Sequence, residues 1–455
     1  MKLAIALLLS LSAAAPVAPP EETYETSGSY RPSDVVSKEL VSGPHHQVQT
    51  PVVFDGYMYR FTVRSDYGPF EVTGTSALRK LVVEIGAIAK LREIKATKAF
   101  AAAVADSATG PFRFAKNLIV HPADTVTGIP KGAYKLVEEV GEAVTTTRNP
   151  ADDPLYQKAL LVSGRRRDYA AQLGVDVYSS NAVLQKELNS VAWAAAVGNL
   201  SVSVALMPVG GTAGAVVTGT RWSNTLNDYL KVEPANRLRI LAEDTLKEIG
   251  IAKDLVRRFI DQPRFTPRQD VMIALALAEL GPAPARGRDA FLEATLGAED
   301  EVEATFFVNT AQMLRGYHDA VAPITAIRMN RRLAVASARS GSALVALPVD
   351  YLVWTETTAR RSDDLLAAYR ATGSAKLEVW LTGTASPTER KRLGARGILL
   401  AARRATLSCC GCPAPGPFTS GCLPWTTSSA SSRPAAPCAA CSSTPNVSRR
   451  GTVPC

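Results

Sequence analysis

No acidic residue follows Glu389 in this 455-residue chain, and all seven cysteines, from Cys409 to Cys455, lie in its last 47 positions. Nine of the 51 Lys and Arg residues also follow Glu389, so residues 1–389 hold 42 basic side chains against 42 acidic ones and no cysteine. The net charge of +9 therefore belongs to the tail. A body of this length without thiols must be held by an apolar core. Thiol catalysis, cysteine zinc sites and iron–sulfur clusters are excluded from it. It also lacks the charge surplus that would build a basic face, which argues against nucleic-acid binding. Its densest basic cluster, Arg165-Arg166-Arg167, is followed at once by Asp168 and reads as a solvated helix end.

The two ends carry different signals. Met1-Lys2, an apolar run from Leu3 to Leu11 and the small residues Ser12 to Ala15 form a secretory signal pattern, with cleavage expected after Ala14 and Ala18 as the second choice. The run is well short of the ~20 apolar residues that span a bilayer. The expected location is outside the cytoplasm, periplasmic or extracellular. From about Leu399 the chain is rich in Ala, Arg, Ser, Pro and Cys with no sustained apolar period. Three readings compete for residues 399–455. They are a cysteine module built on Cys409-Cys410-Gly411-Cys412 and Cys438-Ala439-Ala440-Cys441, a natural disordered tail, or a gene read out of frame. The abrupt change in the middle of an α/β unit favours the last.

Between these ends the expected fold is α+β and predominantly helical. Residues 15–50 read as a disordered linker rich in Pro, Ser, Glu and Thr. Residues 51–75 read as a short β-hairpin, in which Tyr57, Tyr59, Phe61 and Val63 alternate with Met58, Arg60 and Thr62. Phe70 and Val72 follow the turn Asp66-Tyr67-Gly68-Pro69. Residues 76–323 form an irregular helical domain that begins with Leu78, Leu81, Ile85 and Ile88 at helical spacing. Its later helices are expected near 236–249, 251–261, 267–280, 287–297 and 300–316. Residues 324–398 form a small α/β unit of order β-β-β-α-β-α. Its strands are Leu333–Ser337, Ala343–Leu347, Tyr351–Glu356 and Leu377–Thr382, and its helices lie near Arg361–Thr372 and after Ser386-Pro387-Thr388-Glu389. That last segment carries an N-cap, Pro at the first helical position and Glu at the third.

Motifs for chemistry are scarce. The four histidines are His45, His46, His121 and His318, and no pair of them has zincin spacing. His45-His46 reads as a solvated pair, His121 as a turn residue before Pro122, and His318 as a cation at a helix C-terminus. No nucleophile elbow or S-x-x-K motif occurs. Gly214 to Arg221 approximates a phosphate loop but lacks its lysine. Glu299-Asp300-Glu301 suits a helix start, and Asp152-Asp153 flanks a Pro turn. The least ordinary stretch is Leu188 to Thr220, 33 residues without a charge. A buried helix followed by a Gly-rich crossing is the preferred reading, and a membrane-active segment is the alternative. Catalytic residues stay unassigned, and neither a metal nor a cofactor is expected.

The run Leu173 to Gln185 with Ala192-Trp193, and the run His121-Pro122 to Ile129-Pro130-Lys131-Gly132, resemble an uncharacterised family of exported bacterial proteins. In that family residues similar to Leu381-Thr382-Gly383 and Ala395-Arg396-Gly397 continue into further α/β structure. The resemblance covers roughly residues 55–398 and carries no known activity. The expected function is a helical interaction or scaffold protein of the cell envelope, with other envelope proteins as partners and no nucleic acid. The alternatives are a membrane-associating protein that uses residues 188–220, and a hydrolase with a dispersed site.

Overall fold

The computed structural model of the protein describes residues 23–107, 154–198, 200, 233–281 and 286–402. The signal pattern, His121, Asp152-Asp153, the Gly214–Arg221 loop and all the cysteines lie outside the described residues. The architecture corrects the expectation of a predominantly helical chain. It is mixed α/β, with sheets of six, five and two strands joined by helices.

The N-terminal sheet is built on β5 (Tyr59–Ser65). On one edge β5 forms the expected antiparallel hairpin with β6 (Gly68–Thr73). On its other edge it pairs with both β3 (His46–Val48) and β4 (Val52–Phe54). Beyond these lie β2 (Ser42–Gly43) and β1 (Ser29–Tyr30), with the short helices α1 (Pro32–Val35) and α2 (Lys38–Val41) between them in sequence. Residues 29–48, expected in a linker, thus complete a sheet. Strands of two or three residues show no readable alternation and persist only by pairing with β5.

Helix α3 (Thr75–Lys95) is the hinge between layers. Leu78, Leu81, Val82 and Ile85 pack on the N-terminal sheet with Phe54, Phe61 and Val63. Val83, Ala87, Ile88, Leu91 and Ile94 face the helical core on the other side. That core contains α4 (Lys98–Ser107), α5 (Pro154–Leu173), α6 (Ala182–Val197), α7 (Ala235–Glu248), α8 (Lys253–Ile260), α9 (Pro267–Ala278), α10 (Arg288–Thr295) and α11 (Glu301–Ala320). The last five follow the 3.6-residue period closely. In the uncharged stretch, Leu188, Val191, Ala192, Ala194 and Ala195 are buried. A Cβ at Gly198 would meet the Ala103 carbonyl at 2.0 Å, so glycine is required where α6 crosses α4. Residues 201–220 of that stretch lie outside the described residues. No helix among the described residues is long and apolar enough to cross a membrane.

The C-terminal unit is a five-stranded sheet of order β13-β11-β9-β8-β7. It comprises β7 (Ile324–Asn330), β8 (Leu333–Ala338), β9 (Ser342–Leu347), β11 (Lys376–Leu381) and β13 (Ile398–Ala402). The first three form an antiparallel meander, and β9, β11 and β13 run parallel through α12 (Glu356–Arg370) and α13 (Pro387–Ala395). Its two faces separate by period two. Val335, Ala343, Val345, Leu377, Val379 and Leu381 pack under α12 and α13. Ala334, Ala336, Leu344, Ala346 and Trp380 pack on the helical core. Burial on both faces explains the near-continuous apolar runs.

Two strand assignments change. β7 was not among the expected strands, because a bulge between Ile324 and Ala326 breaks its alternation. Tyr351–Glu356 contains only the two-residue β10 (Tyr351–Leu352), which pairs with β12 (Thr384–Ala385), because Thr355 already caps α12. The sheet also continues past residue 398 through Ala402, paired along all of β13.

Candidate functional site

The described residues enclose one large cleft between α3, the 174–181 turn, α11, the β7–β8 hairpin tip and the carboxyl ends of β9 and β11. Open α/β sheets commonly bind ligands outside the carboxyl ends of their parallel strands. Three groups of side chains build its walls.

The first group centres on Glu84, which α3 carries into the interior. Ser179 Oγ donates to its carboxylate at 2.6 Å and Asn181 Nδ2 at 3.0 Å, while Lys80 Nζ lies at 3.9 Å. Asn181 also caps α6 by accepting from the Val183 and Leu184 amides. Lys80 reaches Glu301 at 3.4 Å, and Ser180 Oγ donates to the same carboxylate at 2.5 Å. Burial pushes the Glu84 carboxyl up, against the pull of Lys80 and its two donors. Both Glu84 oxygens are engaged, so the residue acts as a staple between α3 and the 176–181 turn. Ser179→Ala leaves that buried carboxylate short of a donor and is expected to cost ~1–3 kcal/mol, read as a shift of the urea midpoint.

The second group joins the C-terminal unit to the N-terminal sheet. Asp350, just beyond β9, accepts from the Tyr59 amide at 3.2 Å and from the Thr75 amide at 3.0 and 3.1 Å. Thr75 opens α3, whose N-cap Gly74 offers no side chain, so Asp350 supplies the anion that a helix N-terminus favours. Burial raises the Asp350 carboxyl, opposed by these hydrogen bonds and by Arg79.

The third group lies at α13. Ser386 Oγ accepts from the Glu389 amide at 3.0 Å, as the sequence pattern requires. The Glu389 side chain, however, does not reach back to complete a capping box. It is fully buried, and neither carboxylate oxygen has a hydrogen-bond partner among the described residues. The partner of Ser386 Oγ is instead Glu25, which accepts from it at 2.5 Å and from the Trp354 amide at 2.7 Å. Burial first, and the neighbouring Glu25 charge second, push the Glu389 carboxyl up to about 7, against the pull of Arg396.

The residues singled out from sequence are placed as follows. Asp300 caps α11 by accepting from the Glu303 amide, Glu299 pairs with Arg332, and Glu301 lines the cleft. His45 is half-buried beside Asp66, at 2.9 Å, and His46 is buried against the Leu40 carbonyl. His318 does lie in the last turn of α11, but burial lowers its pKa and its Nδ1 accepts from the Ile324 amide, so it is a neutral acceptor and not a cation. The Arg165–Arg167 cluster is not a solvated end. Arg166 is buried within α5 and donates to the Val177 carbonyl and to Gln185.

The cleft also holds groups that sequence reasoning missed. Along α11, Val302, Phe306, Asn309, Met313 and Gly316 recur at helical spacing on the cleft side, opposite the buried stripe Ala304, Phe307, Ala311 and Leu314. Both amide atoms of Gln312, in the same wall, are buried without a hydrogen-bond partner among the described residues. Arg79, Arg331 and Arg361 line the cleft without an ion pair or hydrogen bond among the described residues. No group of three or more metal-ligating side chains occurs among the described residues. Comparison with known proteins returns no match to a family model, a curated protein or a solved structure.

Proposed function

We propose that this is an exported interaction protein of the cell envelope that holds an extended polypeptide segment of a partner along α11. The observation that carries this reading is the second face of α11. A long helix normally buries one stripe and solvates the other. Here the second stripe is part apolar, with Val302 41% exposed, and lines the cleft. The unpaired Gln312 amide offers both a donor and an acceptor to a peptide group. Of the three enclosed acids that line the cleft, the buried Glu84 and the half-buried Asp350 are engaged by donors and serve as staples, and Glu389 alone has no donor among the described residues.

The test is a photo-crosslinking side chain placed at Val302 or Asn309 in cells, with Ile240, exposed and outside the cleft, as control. A discrete polypeptide adduct in the envelope fraction is expected from the two cleft positions alone. Equal labelling at Ile240, or no adduct at either cleft position, overturns the reading.

A further inference from the structure

We infer that the β7–β8 hairpin tip and α12 form an arginine clamp, Arg331 with Arg361, that selects a segment carrying acidic side chains. The inference rests on the polypeptide reading of the cleft and adds the chemistry of the occupant. Arg331 is the first of two residues in the turn that joins Asn330 to Leu333. It adopts φ +56°, the sole non-glycine residue in the left-handed region among the described residues. Hairpin turns of this length place Gly, Asn or Asp there, because a Cβ is strained at positive φ. An arginine at that position keeps a guanidinium where glycine would fold better, a pattern associated with functional sites.

The tip is held from both sides. Arg332 pairs with Glu303 and Glu299 at the start of α11. Asn330 Nδ2 reaches the Asp364 carbonyl at 3.4 Å, and Arg328 reaches the Ala371 carbonyl at 2.8 Å, so the hairpin runs along α12 toward its N-terminal half. Arg361 stands one turn before Asp364 there. Arg331 and Arg361 both line the cleft where the hairpin tip meets α12, and neither has an ion pair or hydrogen bond among the described residues. Most acids of the lining are committed elsewhere: Asp176 to Arg268, Glu301 to Lys80, Glu84 to Ser179 and Asn181, and Asp350 to main-chain amides. On the hairpin tip and α12 the lining charges without a partner are Arg331 and Arg361; the unpartnered lining acids, Glu71 on β6 and the buried Glu389 on α13, lie on other elements. Two guanidinium forks on a rigid hairpin and helix match carboxylates presented along an extended strand.

Purified protein is titrated with labelled peptides of alternating Glu and Ala, or alternating Ser and Ala, and with inorganic phosphate as competitor. The Glu peptide is expected to bind more tightly, with a preference that falls as salt rises. Arg331→Gly combined with Arg361→Gln should reduce that preference about tenfold and leave Ser-peptide affinity unchanged. Arg64→Gln, an exposed charge outside the cleft, should change neither. Arg331→Gly alone should also raise the unfolding midpoint by about 2 °C, which shows that its loss of binding is not a loss of fold. Equal affinity for the two peptides, an unaltered preference in the double variant, or displacement by phosphate alone overturns the clamp while leaving the cleft reading in place. Absence of binding by both peptides counts against the cleft reading itself.

Discussion

Glu389→Gln is expected to raise the stability of the protein by about 3 kcal/mol above neutral pH and to leave it almost unchanged below about pH 4.5. The folded carboxyl titrates near 7, against an ordinary value of 4.5. Between those limits the unfolded chain has released the proton and the native one still holds it. Stability therefore falls as pH rises through this window, and the cost is complete once the buried group ionises beside Glu25. Glutamine keeps the shape and the neutral state at every pH, so the variant escapes the loss. Thermal or urea unfolding of both chains at about pH 8 and about pH 5 measures the difference. A constant offset between the two, or a wild type that gains stability across the window, would show that Glu389 is ionised in the fold and solvated.

Gly383→Ala carries a loss of similar size and opposite sign. The β11–β12 connection passes so close to the end of β9 that a Cβ at residue 383 would lie 1.8 Å from the Asp350 carbonyl oxygen and 2.7 Å from that of Val349. Both obstacles are main chain, so no rotamer change relieves them. The same crossing is pinned by Thr382 Oγ1 on the Val349 carbonyl at 2.9 Å and by the Thr384 amide on the Asp350 carbonyl at 3.1 Å. Displacing Asp350 removes the carboxylate from the Tyr59 and Thr75 amides, which unfastens the C-terminal unit from α3. Overpacking and several buried unmet amides together are expected to cost about 3 kcal/mol or more. Thr382→Val, which deletes a single hydrogen bond, should cost only about 1 kcal/mol. A Gly383→Ala chain whose urea midpoint matches wild type would show that the connection yields easily.

The helices from Ala235 to Ala320 were legible because each carries its own amphipathic period and its own terminator. The parallel strands were legible as apolar runs bounded by Gly and Pro. What escaped depends on partners distant in sequence. β2 and β3 are Ser-Gly and His-Gln-Val, too short to show an alternation of their own, and they are strands because β5 stands beside β3. Val353 and Trp354 looked like part of a strand because both are apolar and buried, yet they are enclosed by different layers without a sheet ladder. At the cleft, local pattern identified Glu389 as an N3 residue and stopped there, since Glu25 enters from 364 positions earlier. Arg331 did leave a signal: Asn-Arg-Arg-Leu is an unusual sequence for a two-residue hairpin turn, and it becomes readable only once β7 is known to be a strand.

Glu25 has a consequence in time as well as in space. Its amide donates to the Trp354 carbonyl, and its carboxylate meets Ser386, a residue 361 positions further along. On a ribosome, the residues that emerge early must wait for nearly the whole body to be synthesised before this contact can close. Until then the segment of residues 23–28 lacks its anchor on the C-terminal unit. A chain that stops short of Ser386 therefore leaves the Glu25 carboxylate without this hydroxyl donor.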